Sequence, residues 1–497
     1  MKRIVYPTAR WASTNPDHPA VIAGDLVLSY REMESRVIGA AARLKRHGIV
    51  AGDRVAIIAA NSPDWVILTH ATARIAAILV PLGTRWTTDT ISRALGLIEP
   101  AIVLVDAAHA PAVSAIPHVG ARTMPLADLS ASPEASSSYE IPGEIAPDLP
   151  HTIVFTSGTT GAPRGVCLNY RNHLAAAFTS ALNLGSLPED RWLANLPFHH
   201  VGGLAIALRA ALYGTTVVVH ERFDAELTLR SLADDRVTQM SLVGTTLARL
   251  LEAAGGDPFP ESVRSVLVGG GPASAELLRR ARRAGLPVLP TYGMTETASQ
   301  ATTLSPSAPE DKLHTAGLPL SLCEIAITDA AGKPVSCGIE GSISVRGPMV
   351  GLGYWTGPDR IEPFSQNGWL RTNDIGTWDE DGYLIVRGRA DTVIISGGEK
   401  IFPEEIELAL EQAPGVSRAA VLGLDDPEWG ERLVALVESA PAGDFNSERL
   451  RDFLRRHLAP CKIPRVIAPV AQIPLTPLGK IDRSRVKELC VALTSVR

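Results

Sequence analysis

Residues 152–166 read Thr-Ile-Val-Phe-Thr-Ser-Gly-Thr-Thr-Gly-Ala-Pro-Arg-Gly-Val. The apolar run 153–155 predicts a buried strand, and a loop of hydroxyl groups and glycines follows it. Backbone N–H groups exposed by glycines, hydroxyl donors and a fixed cation suit a polyphosphate, although from composition alone such a loop is more often a plain turn. The stretch lacks the Gly-Lys-Ser/Thr of a Walker A loop. The residues predicted to hold phosphate are Thr156, Ser157, Gly158, Thr159, Thr160, Gly161 and Arg164.

Length and composition predict a globular enzyme of more than one domain. The chain has 497 residues, with 45% hydrophobic and 20% charged residues. A net charge of −6 gives no sign of nucleic-acid binding or of attraction to an anionic membrane. Five scattered cysteines without a Cys-x-x-Cys pair indicate neither a zinc site nor a disulfide framework, and their odd number predicts a reducing cytoplasm.

The N-terminal half alternates predicted strands and helices. Helical spacing covers residues 30–46, and short apolar runs at 54–60 and 101–105 predict strands. Ser62 is a predicted N-cap, and the helix after it is expected to run until Pro81. The start of the chain has no apolar core of signal-peptide length, and the helix candidate at 65–79 contains charged residues, so no membrane span is expected. The alternation predicts parallel βαβ units.

The C-terminal half changes character twice. From Cys323 the chain shows short strands, glycines and turns, which predict a β-rich lobe. Beyond Asp391 it returns to mixed helices and strands. The predicted fold is therefore α/β: a large N-terminal domain (1–390) with parallel βαβ sheets and a β-rich lobe, and a small α+β C-terminal domain (391–497).

Four further stretches carry residues that suit a nucleotide. A glycine run at a strand end (Gly270, Gly271, Pro272) lets a flat base lie on backbone, and Thr291, Tyr292, Gly293, Met294, Thr295 and Glu296 offer a stacking ring, a hydroxyl and a magnesium ligand. Asp374 with Arg389 suits a ribose, and Lys480 lies on a glycine turn near the C-terminus. Taken singly, each of these four stretches also fits a purely structural interpretation. In chain order these are a strand-to-helix turn, a helix start, a surface ion pair and a solvated lysine.

Together the five stretches resemble the adenylate-forming superfamily of acyl-CoA synthetases, luciferases and peptide-synthetase adenylation domains. The motifs are Thr-Ser-Gly-Thr-Thr-Gly-x-Pro-Arg-Gly, Tyr-Gly-Met-Thr-Glu-Thr, Gly-Trp-Leu-Arg-Thr-x-Asp and the final Gly-Lys-Ile, all in the superfamily's order. Arg164 stands where the superfamily more often has Lys, and Asn373 where it usually has Gly. Asn, like Gly, can adopt a positive φ, but its side chain takes more space than a glycine does.

The resemblance implies an enzyme that activates a carboxylic acid with ATP and passes the acyl group to the thiol of coenzyme A. In the large domain it implies magnesium on Glu296 and phosphates on the loop at Thr156. It further implies a mobile C-terminal cap that carries the catalytic Lys480 and turns about a hinge at Asp391. The expected partners are small molecules, without nucleic acid or membrane insertion, and a homodimer is left open.

The acid is indicated by a second set of residues. The stretch at 196–204 has no Asp to hold an amine, so an amino acid is not expected. The sequence Pro-Phe-His-His-Val-Gly-Gly-Leu, together with the segment around Arg209, resembles the corresponding sequence of the 2-succinylbenzoate–CoA ligases of menaquinone synthesis. This resemblance implies His200 as a catalytic gate or pocket residue, Arg209 near a second substrate carboxylate, and Gly202 and Gly293 at the acid. A surface-paired arginine and a core histidine are the alternatives.

Three departures lie near the predicted acid pocket. His199 replaces a usual Phe, Gly202 stands where Ser is common, and residues 244–246 replace an expected Pro-Thr. A CoA ligase for another aryl or medium-chain acid is therefore an alternative. A non-catalytic nucleotide-binding relative is another, against which Glu296, Asp374, Arg389 and Lys480 argue.

Overall fold

The computed structural model describes residues 3–116, 121–130, 140–157, 163–358, 360–364, 367–439, 445–476 and 481–495. The chain forms two compact units, Met1–Ile325 with Val345–Leu370, and Ala326–Ser344 with Arg371–Arg497. The boundary predicted between residues 390 and 391 stays a prediction, because packing within a unit does not show where the chain bends.

The helices of the first unit run from α1 to α11. Their bounds are α1 Pro7–Thr14, α2 Tyr30–Arg46, α3 Pro63–Arg74, α4 Thr88–Ile98, α5 Ala110–Ser114, α6 Leu126–Ser130, α7 Tyr170–Leu184, α8 Val201–Tyr213, α9 Ala225–Asp234, α10 Gly244–Ala253 and α11 Ala275–Arg283. The second unit adds α12 Pro403–Glu411, α13 Ser447–Arg455 and α14 Arg483–Ser495. Short 3₁₀ turns lie at Thr295–Thr297, Glu310–His314 and Pro460–Lys462.

The strands are numbered in chain order. They are β1 Ile4–Val5, β2 Pro19–Ala23, β3 Leu26–Ser29, β4 Arg54–Ile58, β5 Ile78–Pro81, β6 Ile102–Val105, β7 Arg122–Pro125, β8 Glu144–Ile145, β9 Pro150–Ser157, β10 Pro163–Asn169, β11 Arg191–Ala194, β12 Thr216–Val219, β13 Gln239–Leu242, β14 Ser265–Val268, β15 Val288–Tyr292, β16 Thr302–Thr303, β17 Leu318–Pro319, β18 Glu324–Thr328, β19 Gly341–Arg346, β20 Gly353–Gly357, β21 Arg360–Glu362, β22 Leu370–Trp378, β23 Leu384–Arg389, β24 Ile394–Ser396, β25 Glu399–Ile401, β26 Val416–Asp426, β27 Gly430–Ser439 and β28 Val466–Val470.

Two large sheets organise the first unit, as the alternating pattern predicts. One has the order β21-β20-β10-β9-β5-β4-β6-β7, and the other β17-β16-β15-β14-β13-β11-β12-β2-β3. Their central strands pair in parallel, for example β4 with β5 and β6, and β11 with β12 and β13. These strands are mostly apolar, and apart from Arg54 and Arg191 at the starts of β4 and β11 their residues are buried, as expected of parallel sheets covered by helices on both faces.

The helix predicted to run until Pro81 ends earlier, and that prediction was wrong. Ser62 caps α3 by accepting a hydrogen bond from the Trp65 backbone N–H, but α3 stops at Arg74. Ala76 adopts a left-handed φ of 57°, and Ile78–Pro81 continues as a buried strand. Apolar residues on both sides of the turn hide the change from helix to strand.

The second unit holds most of a four-stranded sheet, β18-β19-β22-β23, and a five-stranded sheet with the order β25-β24-β27-β26, in which β28 also pairs with β27. Helices α12 and α13 pack on the latter through Ile406, Leu410, Leu450 and Leu454. The β-rich lobe and the small mixed C-terminal region are confirmed.

The five cysteines are free thiols with two kinds of surroundings. Cys167, Cys323 and Cys490 are buried, whereas Cys337 and Cys461, both in the second unit, are exposed. No helix in the described part of the chain is long and apolar enough to cross a bilayer.

Candidate active site

Two of the predicted stretches lie side by side at one sheet edge. Strands β14 and β15 pair in parallel, with Val268 opposite Pro290, so both chains leave the sheet at the same end. The loop with Gly270, Gly271 and Pro272 follows β14, and the turn with Met294 and Thr295 follows β15. Ligand sites in α/β sheets form at such carboxyl ends.

The predicted phosphate loop connects two antiparallel strands. Ser157 of β9 pairs with Pro163 of β10, and Thr156 pairs with Arg164. The Thr156 hydroxyl donates to the Arg164 carbonyl oxygen over 3.5 Å. Gly158, Thr159, Thr160, Gly161 and the Ser157 side chain lie outside the described residues. The strands on either side of the loop are thus paired and antiparallel, whereas a Walker A loop lies between a strand and a helix.

Tyr354 links Glu296 to Arg164 by contacting both side chains. The Tyr354 hydroxyl donates a hydrogen bond of 2.8 Å to Glu296 Oε1. The Arg164 guanidinium carbon lies 3.5 Å from the centre of the Tyr354 ring, which is a cation–π contact. The structure therefore brings together the predicted metal ligand and the predicted phosphate-binding cation.

The donor set fits magnesium that is shared with a substrate. The described residues include no group of three or more His, Cys, Asp or Glu side chains that could hold a metal. Magnesium in nucleotide enzymes is commonly held by one or two carboxylates, phosphate oxygens and water. The half-buried Glu296 carboxylate, with Oε2 accepting no hydrogen bond from a described residue, matches that requirement.

The turn after β15 is held by its own backbone. A Cβ atom at Gly293 would lie 1.8 Å from the Ser299 carbonyl oxygen, so only glycine fits there. The Thr291 hydroxyl donates to the Thr302 carbonyl oxygen over 2.8 Å and is committed to the sheet. The Thr295 hydroxyl makes no hydrogen bond within the described chain. Of these two threonines, Thr295 is the one whose hydroxyl is open to a ligand.

Arg209 is a buried cation on α8. Its side chain is 3% exposed, its Nη2 donates to Ser299 Oγ over 2.8 Å, and its guanidinium carbon lies 5.6 Å from the Trp192 ring centre. Nε has no hydrogen-bond partner, and no ion pair joins Arg209 to an acid among the described residues. Burial lowers the pKa of Arg209, yet a guanidinium stays charged at neutral pH. The alternative of a surface-paired helix arginine is therefore wrong.

His200 precedes α8 as its N-cap residue. The His199 and His200 rings lie 4.3 Å apart between centres. Burial, with electrostatic interactions with His200 and Arg85, lowers the pKa of His199 well below its ordinary range, so His199 is neutral at pH 7. Arg209 lies seven positions after Gly202, two turns along one helix face.

The space around the two glycines of α8 differs. A Cβ atom at Gly202 would meet only Leu196 Cδ1, at an ordinary 3.6 Å. At Gly203 it would lie 2.3 Å from the Pro197 carbonyl oxygen. A serine therefore fits at position 202, but nothing larger than glycine fits at 203.

The second unit pairs the predicted ribose residues. Asp374 on β22 lies directly opposite Arg389 on β23, with 3.8 Å between Oδ1 and Nη1. Arg389 also donates to both carboxylate oxygens of Asp391, over 3.0 and 3.1 Å. Asn373 is exposed and extended, and its carbonyl oxygen accepts from the Ala390 N–H, so the strand needs no positive φ at this position. Lys480 lies outside the described residues.

Sequence comparison decides the family. Residues 8–355 match the AMP-binding enzyme family, and residues 405–480 match the AMP-binding enzyme C-terminal domain. The chain belongs to the AMP-binding enzymes. The resemblance to the adenylate-forming superfamily is confirmed.

Close relatives of this AMP-binding enzyme carry one activity in their names. A 2-succinylbenzoate–CoA ligase of Bacillus licheniformis is 38% identical over 480 residues, which is 95% of this chain and 97% of that protein. The o-succinylbenzoate CoA synthetase (MenE) from Bacillus subtilis, solved with its acyl-adenylate intermediate, superposes with a TM-score of 0.91 at 35% identity, over 98% and 99% of the two chains. The same protein with ATP and magnesium gives 0.90, over 98% and 100%.

Two residues of this AMP-binding enzyme's site escaped the sequence-based prediction. Tyr354 stands in Gly-Tyr-Trp on β20, which pairs with β10, and it contacts Glu296, which lies 58 positions earlier in the sequence. Ser299 reaches Arg209 because Ala298 and Ser299 both adopt positive φ, at 50° and 115°. Neither contact follows from a spacing within the sequence.

Proposed function

We propose that this enzyme joins 2-succinylbenzoate to coenzyme A at the expense of ATP, giving 2-succinylbenzoyl-CoA, AMP and diphosphate in menaquinone biosynthesis. The observation that carries the proposal is Arg209, a buried cation with no acid partner in the described chain. A buried charge is costly unless it meets an opposite charge. A substrate with two carboxylates supplies that charge and still has one carboxylate to react.

The reaction has two steps. One substrate carboxylate attacks the α-phosphorus of ATP, the bond to diphosphate breaks, and a mixed anhydride with AMP forms. The sulfur of coenzyme A then attacks the acyl carbon, AMP leaves, and the thiol proton passes to solvent. Both steps bring anions together, so the site must neutralise charge in the transition state.

The residues of the first unit hold the phosphates, the base and the acid. Glu296 would hold magnesium, and that ion would supply positive charge that offsets the negative charge of the phosphates. Arg164 binds the triphosphate, and the ring of Tyr292 stacks on adenine. His200 gates the acid pocket, which Gly202 and Gly293 line. The remaining phosphate and base contacts come from Thr156, Ser157, Gly158, Thr159, Thr160, Gly161, Gly270, Gly271, Pro272, Thr291, Met294 and Thr295.

The residues of the second unit act on the ribose and the α-phosphate. Asp374 accepts hydrogen bonds from the ribose hydroxyls, and Arg389 holds that carboxylate in place. Lys480 contacts the α-phosphate during the first step. Asp391 is the proposed hinge, at which the chain turns before the thiol attacks.

Proximity of the acid site to the magnesium site supports this assignment. Arg209 donates to Ser299, which follows Glu296 by three residues in the same turn. The cation for the distal carboxylate and the ligand for magnesium are thus tied to one short segment.

The test is ATP- and CoA-dependent thioester formation. Wild type and Arg209→Ala are compared with 2-succinylbenzoate, benzoate, 4-coumarate and octanoate. A preference for 2-succinylbenzoate that Arg209→Ala abolishes supports the proposal. A preference for a monoacid, indifferent to Arg209, overturns the diacid pocket and favours a ligase for another aryl or medium-chain acid.

Two further proposals concern the setting of the enzyme. We place the reaction in the cytoplasm, where ATP and coenzyme A are available and five free thiols are stable. A homodimer remains a prediction, which light scattering on the purified protein tests directly.

A further inference from the structure

Tyr354 contacts both Glu296, the predicted magnesium ligand, and Arg164, the predicted phosphate-binding cation. Its hydroxyl donates to Glu296 Oε1 over 2.8 Å, and the face of its ring carries the Arg164 guanidinium at 3.5 Å. It stands on β20, opposite Val166 of β10, two residues beyond Arg164. One side chain therefore fixes the distance between the acid and the cation.

The surroundings of Tyr354 hold it in one place. The Phe364 ring meets the Tyr354 ring edge-on, with 4.9 Å between centres and 84° between planes. The backbone next to it is tied to the same target, because the Gly351 N–H donates to the Glu296 carbonyl oxygen over 2.8 Å. The segment 351–354 thus restrains Glu296 through both its backbone and its carboxylate.

The hydrogen bond from Tyr354 occupies one oxygen of the Glu296 carboxylate and leaves the other available to a ligand. Oε1 accepts from Tyr354, whereas Oε2 accepts no hydrogen bond from a described residue. We propose that Tyr354 is a positioning residue that turns Oε2 of Glu296 toward magnesium and holds Arg164 beside the same phosphates. This inference rests on the proposed function, and it adds a residue that no motif of the sequence indicated.

Two substitutions distinguish the contact of Tyr354 with Glu296 from its contact with Arg164. Tyr354→Phe removes the hydroxyl and keeps the ring face for Arg164. Tyr354→Leu removes both contacts. Tyr383→Phe makes the same chemical change in the second unit and serves as the matched control.

The experiment measures metal binding directly. Manganese replaces magnesium, and free Mn²⁺ is followed by electron paramagnetic resonance in the presence of ATP, without acid or coenzyme A. Loss of a residue that orients a metal ligand typically weakens metal binding 10- to 100-fold, so we expect about tenfold weaker Mn²⁺ binding for Tyr354→Phe. The KM for ATP in ATP–diphosphate exchange at saturating magnesium stays at the wild-type value. Tyr354→Leu also raises that KM, because Arg164 loses its support.

A double-mutant cycle separates positioning from general damage. In the Glu296→Gln background, Tyr354→Phe is expected to have no further effect on Mn²⁺ affinity. Wild-type Mn²⁺ affinity in Tyr354→Phe, or an equal effect with and without Glu296, overturns the inference. Failure of the wild type itself to catalyse ATP–diphosphate exchange with any acid overturns the proposed function instead.

Discussion

The Nη2 atom of Arg209 donates a hydrogen bond to Ser299 Oγ over 2.8 Å. This contact joins α8, which carries Gly202 and Arg209, to the turn that carries Glu296. A hydroxyl is a weak partner for a buried guanidinium, since it brings no negative charge. The arrangement leaves an electrostatic need that an anionic substrate group satisfies.

Removing that cation should affect diacids alone. For Arg209→Ala we expect kcat/KM for 2-succinylbenzoate to fall about 100-fold, because truncating one partner of a buried charged hydrogen bond costs about 2–5 kcal/mol. Benzoate, which lacks a second carboxylate, should react at an unchanged rate. Arg209→Lys keeps the charge and should lose less. Equal losses for both acids would indicate that Arg209 supports the fold rather than the substrate.

Asp374 is expected to act on ATP through the ribose. Asp374→Asn keeps the backbone N–H bond to the Thr372 hydroxyl but removes the charge that faces Arg389. Hydrogen bonds to charged groups contribute about 1.5–3 kcal/mol, so the KM for ATP should rise about 10- to 100-fold. Asp381→Asn, an exposed change in the next turn, is the control. An unaltered KM for ATP in Asp374→Asn would count against a ribose contact.

Gly293 should tolerate no side chain. Its Cβ position lies 1.8 Å from the Ser299 carbonyl oxygen, so Gly293→Ala must displace the turn that also carries Glu296. We expect a loss of about 3 kcal/mol in the free energy of unfolding, together with loss of adenylation. Gly96→Ala, at an exposed helical position with no atom within 4 Å of the added Cβ, should instead gain about 1 kcal/mol. Urea unfolding of the two variants compares the signs, and a stable, active Gly293→Ala would show that the turn relaxes freely.

A buried histidine predicts how stability depends on pH. Burial lowers the pKa of His151 to about 4 from its ordinary 6.5, and neither ring nitrogen has a hydrogen-bond partner in the described chain. Between these values the unfolded chain binds the proton and the folded chain does not, so stability is full above pH 6.5 and falls as the pH drops toward 4. At about 1.4 kcal/mol per pKa unit, the loss from this residue is on the order of 3 kcal/mol.

The variant His151→Phe should flatten that dependence. Urea unfolding at pH 7.5, 6 and 5 measures the slope, and His47→Gln, an exposed histidine of the same unit, should leave it as in the wild type. His70 keeps part of the slope, since burial lowers its pKa to about 3. If the free energy of unfolding of His151→Phe changes with pH as steeply as that of the wild type, His151 does not contribute to this dependence. That result would mean that His151 in the folded chain is already protonated or is reached by water.

The local signals in the sequence were sufficient for much of the fold. The helix predicted at 30–46 is α2, because Ser29 and Glu32 form a capping box and Met33, Val37 and Leu44 supply the buried face. The helix expected to reach Pro81 shows the limit. An apolar run does not distinguish a buried helix from a buried strand, and the break at Ala76 has no glycine or proline to announce it.

The sequence indicated candidate residues for the site, but not the contacts between them. Motif order indicated Glu296, Asp374 and Arg209 as functional candidates. The Asp374–Arg389 pairing depends on the register of β22 and β23, and the Tyr354–Glu296 bond joins residues 58 positions apart. Such contacts are set by tertiary structure, which no local pattern encodes.

The distribution of the five thiols has a practical consequence. Because Cys167, Cys323 and Cys490 are buried and only Cys337 and Cys461 are exposed, a maleimide dye should label the unmodified protein in the second unit alone. Replacing Cys337 with serine leaves one labelling position, Cys461. The Cys337→Ser chain is therefore suited to fluorescence anisotropy of its C-terminal region during turnover, without an added cysteine.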